Sequence, residues 1–98
     1  MNGNQVRPEK WTNVIDLYDN GWYSYIWGNY DGGSDKSLGA RWNGGKNVGY
    51  PNHGAYPTWY VEPDFVTNDI LFSIYRDVQI NPQNGNLNNI KTAIMENI

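Results

Sequence analysis

Hydrophobic and polar positions follow a period of two through the first half of the chain and change to a helical period after Pro63. In "WTNVIDLYDNGWYSYIWGNYDGG" two β-prone runs flank Asn20 and Gly21, a pair suited to the positive φ angles of a two-residue type I′ turn, so a β-hairpin is predicted. With those two residues as the loop, Asp19 opposes Trp22, Tyr18 opposes Tyr23, Leu17 opposes Ser24, Asp16 opposes Tyr25, Ile15 opposes Ile26 and Val14 opposes Trp27. Alternation then puts Ile15, Leu17, Trp22 and Ile26 on one face and Val14, Asp16, Tyr18, Tyr23, Tyr25 and Trp27 on the other. The aliphatic face is expected to meet helices, leaving an aromatic face with polar tips.

"DGGSDK" makes a second turn, and "SLGARWNGG" reads as a third strand with Leu38, Ala40 and Trp42 on one side and Gly39, Arg41 and Asn43 on the other. The longer turn leaves its register with the second strand open. Gly39 marks either a bulge or a place where a ring lies across the backbone. A Gly-, Asn- and Pro-rich loop over 43–57 precedes a short fourth strand in "TWYVEP". In "DFVTNDILFSIYRDV", Phe65 or Val66, then Ile70 or Leu71, Ile74 and Val78 recur at helical spacing, with Asp64 or Asn68 as the cap. "INPQNGN" breaks that helix, and Leu87, Ile90, Ile94 and Ile98 form a second stripe. The expected architecture is α+β: a four-stranded antiparallel meander followed by two C-terminal helices packed on one face. Residues 1–10 lack periodicity and read as a flexible N-terminal arm, with 11–98 a single domain.

A chain of 98 residues has room for one modest core. Mean hydropathy is −0.74, a value that would suit disorder, but aromatic residues reach 15% and bury large areas each, so folding is expected. Ten Asp and Glu against seven Lys and Arg give a net charge of −3 without a basic cluster, which argues against nucleic acid and anionic membranes as partners. The absence of cysteine excludes disulfides and thiolate metal sites. "MNGNQVRPEKW" has no apolar run of the signal-peptide kind and no later run is long enough to span a membrane, so a cytoplasmic location is the expectation.

The run "SLGARWNGG" with "GYPNHGAYPTWYVEPDF" resembles the central segment of small uncharacterised bacterial proteins, including those carried as single genes on mobile integron cassettes. The resemblance spans roughly Trp22 to Phe65, and "RWNG" and "PTWYVEP" are its most distinctive parts. It implies a small, soluble, accessory protein and brings no catalytic residues.

Catalytic chemistry has little to work with. His53 is the one imidazole, so multi-His metal sites are excluded, and no serine sits in a nucleophile elbow. No catalytic residue, metal or cofactor is assigned. "DGGSD" lacks the ligands of a calcium loop, and "NGGKNVG" lacks the spacing of a phosphate loop. The outstanding feature is aromatic: Tyr18, Tyr23, Tyr25 and Trp27 on one hairpin face, Arg41 poised to lie over a ring, and Tyr50, His53, Tyr56 and Trp59 in the following loop. Tyr and Trp join a flat apolar body to a polar handle. These residues are expected to form the recognition surface of a binding module for a partner protein, a second copy included, or for a small ligand. Tyr25 and Trp27 are the expected floor and the Arg41 to Tyr60 loop the rim; the competing reading is that the loop buries the rings in a minor core. Carbohydrate or aromatic ligands are one alternative, and an enzyme using Arg41 and His53 with Asp16 or Glu62 is another.

Overall fold

A computed structural model describes residues 3–97; Met1 and Asn2 of the expected arm and Ile98 of the expected second helical stripe lie outside the described residues. The period-two segments form β1 (Trp11–Asp19), β2 (Tyr23–Tyr30) and β3 (Lys36–Trp42). Within the long loop, β4 (Asn52–His53) and β5 (Tyr56–Pro57) pair as a small hairpin that the sequence did not announce. The short strand β6 (Tyr60–Val61) joins β3, giving a four-stranded antiparallel sheet in the order β1-β2-β3-β6. Two helices follow, α1 (Asp64–Ile80) and α2 (Leu87–Glu96). The chain is α+β with the meander and the two C-terminal helices that its periodicity predicts.

The first hairpin departs from its expected register. Its connection is Asn20–Gly21–Trp22, three residues rather than two, and of these only Gly21 takes a left-handed φ, +95°. Asn20 acts through its side chain, whose Oδ1 accepts from the Trp22 and Tyr23 backbone N–H groups at 2.9 Å each. Asp19 therefore opposes Ser24, Tyr18 opposes Tyr25, Asp16 opposes Ile26 and Ile15 opposes Trp27. Register shifts lie between Asp16 and Tyr18 and between Thr12 and Ile15, where Asn13 adopts φ +54°.

These shifts reverse the expected roles of the two faces. Ile15 and Leu17 come over to the side of Trp27, where β3 adds Leu38 opposite Trp27 and Ala40 opposite Tyr25, so this becomes the more apolar face and the helices cover it. Leu17, Tyr18, Trp27 and Leu38 pack there with Leu71, Ile74 and Val78 of α1 and Ile90 and Ala93 of α2. Each buried Leu, Ile or Val side chain there contributes roughly 1.5–3 kcal/mol. Neither cap expected for α1 operates: the helix follows Pro63 without a side-chain cap, and Asn68 lies within it, accepting from Asn97 at 2.8 Å.

Ile26 lies on the other face with Val6, Trp11 and Trp59. The segment read as an arm is thus docked: Val6 is 6% exposed, and its carbonyl accepts from the Trp59 indole N–H at 3.0 Å. The ring expected across Gly39 is Trp11, since an added Cβ would lie 2.8 Å from Ile26 Cγ1 and 3.0 Å from Trp11 Cη2.

Candidate functional site

The loop from Arg41 to Tyr60 is organised from inside by Arg41. Its guanidinium is fully buried (0% exposed) on the face opposite the helices, where Nη1 donates to the carbonyls of Pro51 and Thr58, Nη2 donates to that of Val48, and Cζ lies 5.8 Å from the centroid of the Trp59 ring. A planar fork of donors suits this gathering of carbonyls, of which that of Pro51 also accepts from the Thr58 N–H at 3.1 Å. Gly49 permits the close approach: its φ is +75°, and a Cβ there would collide with the Trp42 carbonyl oxygen and lie 2.6 Å from Arg41 Nη2. Burial pulls the pKa of Arg41 down.

The expected site residues are thereby divided. Trp27 (1% exposed), Tyr18, Arg41 and Trp59 are buried and belong to the packing of the two faces, so Trp27 is not the floor of a recognition surface. The reason is the placement of the helices on its side of the sheet. Tyr18 donates its hydroxyl to Asp77 Oδ2 at 2.6 Å, which pins α1 to β1. His53 and Tyr56, in the β4–β5 hairpin, are exposed and stand apart from the rest. Tyr23, Tyr25 and Tyr50 are brought together with two residues that the expected set omitted, Trp42 and Tyr60.

Cross-strand pairing explains that grouping. Tyr23 opposes Trp42 and Trp42 opposes Tyr50, forming one row; Tyr25 opposes Ala40 and Ala40 opposes Tyr60, forming the next. Directly opposed residues share a face. Both rows lie on the helix side, at the corner where Trp42 remains 55% exposed and Tyr60 52% exposed. The Tyr23 ring stands 4.6 Å from that of Trp42 at 85° and 5.3 Å from that of Tyr25 at 59°.

Glu62, two residues beyond Tyr60, projects to the same side. Burial pushes its carboxyl above the usual carboxylate range. Burial also pushes the Tyr25 hydroxyl up to about 12, with the charges of Tyr23, Glu62 and Tyr18 adding to it, and raises Tyr23, to which Glu62 and Tyr60 contribute. Among the described residues the Glu62 carboxylate has no hydrogen bond or ion pair. A groove of about 450 Å³ opens between Tyr25, Glu62 and the flank of α1 formed by Val66, Asp69, Ile70, Ser73 and Ile74.

The trio proposed for an enzyme is not assembled: Arg41 and Glu62 lie on opposite faces, Asp16 pairs with Arg7, and His53 is exposed in its hairpin. The "DGGSD" segment is a turn held by Gly33 N–H to the Tyr30 carbonyl at 3.0 Å and by the Asn29 side chain, and no group of three His, Cys, Asp or Glu among the described residues is placed to hold a metal ion. No helix of the described residues is long and apolar enough to cross a membrane. The chain matches no family model, no curated protein and no solved structure.

The signal for the missed residues was partly present. The alternation that sets Trp42 beside Leu38 and Ala40, and Tyr60 beside Glu62, is readable in the chain, but the register joining those pairs to Tyr23 and Tyr25 is fixed by a turn too long for a sequence rule.

Proposed function

We propose that the protein is a binding module whose recognition surface is the aromatic shelf of Tyr23, Tyr25, Trp42, Tyr50 and Tyr60, engaging a partner chain, a second copy included, or a small ligand. The observation that carries this reading is the exposure of Trp42 and Tyr60, two large rings on the core-facing side of the sheet that neither helix covers. Such rings offer wide, stiff contact area at a small conformational cost, the usual character of interface anchors. An accessory role of the kind implied by the cassette resemblance is compatible with it.

The test is a panel of short peptides and saccharides titrated into the full chain and followed by nuclear magnetic resonance, with light scattering over the micromolar range to detect self-association. The expected result is that one class, or self-association, shifts the resonances of Trp42 and Tyr60, and that Trp42→Ala weakens it about thirtyfold, the equivalent of about 2 kcal/mol for an anchor residue. Binding that maps to the Arg41 face, or that persists unchanged in Trp42→Ala, overturns the reading.

A further inference from the structure

The geometry points to a specific chemistry for this surface, an inference that rests on the binding-module reading: we propose that the shelf and its groove receive an arginine or lysine side chain carried on an extended segment of a partner protein, the cation sitting among the rings beside Glu62.

The arrangement of the rings supplies the first reason. A sugar or planar ligand stacks on a ring that lies flat and open, whereas Tyr23 stands edge-on to Trp42 at 85° and tilts 59° to Tyr25. Rings so inclined offer no flat stacking platform, whereas a cation needs only one ring face within about 6 Å. Charge supplies the second. Glu62 lines the groove with Tyr25 and carries a carboxylate that has no hydrogen bond or ion pair among the described residues, while the surface ion pairs elsewhere, Arg7 with Asp16 and Lys36 with Glu96, are closed on themselves. Asp69 adds a second carboxylate in the groove, and no Lys, Arg or His lines it. Arg76, one turn further along α1, hydrogen-bonds the Ser73 hydroxyl at 3.5 Å.

The shape of the groove selects an extended chain over a compact ligand. It is open along its length, with Val66, Ile70 and Ile74 forming an apolar wall against Tyr25, so it offers contact to successive side chains and encloses none. Pockets for small molecules surround most of their ligand. A basic residue flanked by aliphatic neighbours matches both the acidic corner and the apolar wall, and an acidic chain of net charge −3 favours encounter with such a segment.

The probe is an acetylated and amidated Leu-Arg-Leu peptide, titrated into the full chain and followed by amide and aromatic shifts, against the same peptide with neutral citrulline in place of arginine. Saturable shifts are expected at Tyr23, Tyr25, Trp42, Tyr60 and Glu62. Citrulline should bind about fivefold or more weakly, and Glu62→Gln should reduce the arginine peptide to the citrulline level. The spectrum of Glu62→Gln verifies its fold independently. Equal affinities for the two peptides at the shelf overturn the cation and leave the binding module standing. A lack of shifts with either peptide also overturns it, and the binding module fails as well if Trp42→Ala then changes neither self-association nor any binding from the wider panel. A dimer in the free protein that buries Trp42 and Tyr60 makes a second copy the occupant and overturns the basic segment.

Discussion

Trp27 and Trp42 share one face of the sheet and have opposite roles, which neighbours rather than residue type decide. Trp27 is enclosed by the helices, and its indole N–H donates to Glu96 Oε1 at 2.9 Å, while the same carboxylate accepts from Lys36 at 3.0 Å. Removing that side chain leaves a cavity beneath both helices and breaks the tie to α2. Trp27→Ala should therefore cost about 3–5 kcal/mol in urea denaturation, whereas the exposed Trp42→Ala should stay within about 1 kcal/mol. Equal costs would mean that Trp42 belongs to the core and that the shelf is packing. Arg41 makes the same point for polar groups. A buried guanidinium without a carboxylate is costly, and here three backbone carbonyls satisfy Nη1 and Nη2 and the Trp59 ring lies beneath Cζ, while the buried Nε has no hydrogen-bond partner; Arg41 thus ties the Gly- and Asn-rich loop together from inside. Within Arg41 to Tyr60, Arg41 and Trp59 thus build the second face of the sheet, while Trp42, Tyr50 and Tyr60 turn to the first and His53 and Tyr56 stay exposed in their hairpin.

At the scale of elements, the first hairpin governs which side chains face the helices. Its turn needs a left-handed residue at position 21, where φ is +95°. Gly21→Val should cost about 1–3 kcal/mol, since a β-branched residue resists that conformation, and an unchanged urea midpoint would show that the loop relaxes freely. The existence of this hairpin, the order of the strands and both helices were legible because alternation, Asn-Gly and the change of period at Pro63 are local signals. The faces were not legible. One residue of slip exchanges the two sides of a strand, and the slips here arise at Asn13 and near Leu17, positions whose bulges answer to packing across the sheet. The proposed shelf shows the same division: Tyr23, Tyr25 and Tyr50 stand out in composition, Trp27 is buried once its face is known, and Trp42 and Tyr60 depend on the register of β3. The β4–β5 hairpin has strands of two residues each, too short for any periodicity to show.

Across the whole molecule, both faces of one small sheet are covered by different means, helices on one side and the N-terminal segment with the Arg41 loop on the other, and the helical covering stops short of the corner of Trp42 and Tyr60. Glu62 sits at that corner, and its raised pKa ties the site to stability. A carboxyl that ionises less readily when folded than when unfolded favours the unfolded chain once the pH rises above the ordinary glutamate value, about 4.3, and the penalty is complete above the folded value. Glu96 and Asp77 act in the opposite sense. Lys36 and the Trp27 indole hold Glu96 low, and the Tyr18 hydroxyl with the Asn84 and Asn81 amides holds Asp77 low, so both contribute stability above the ordinary carboxylate values and lose it as the pH falls through their folded values. Acidification should therefore destabilise the wild-type chain through Glu96 and Asp77 while relieving it at Glu62. Comparison with Glu62→Gln isolates the last contribution. The variant should have a higher urea midpoint than the wild type near neutral pH, the advantage should shrink as the pH falls through the carboxylate range, and it should vanish by about pH 3, well below the ordinary glutamate value, where the wild-type carboxyl is protonated in both states. An advantage that is independent of pH, or that grows on acidification, would show that Glu62 is not strained by burial. The same substitution is expected to weaken binding of a basic segment, so a variant that gains stability at neutral pH while losing recognition would locate at Glu62 the exchange of stability for function that binding sites commonly show.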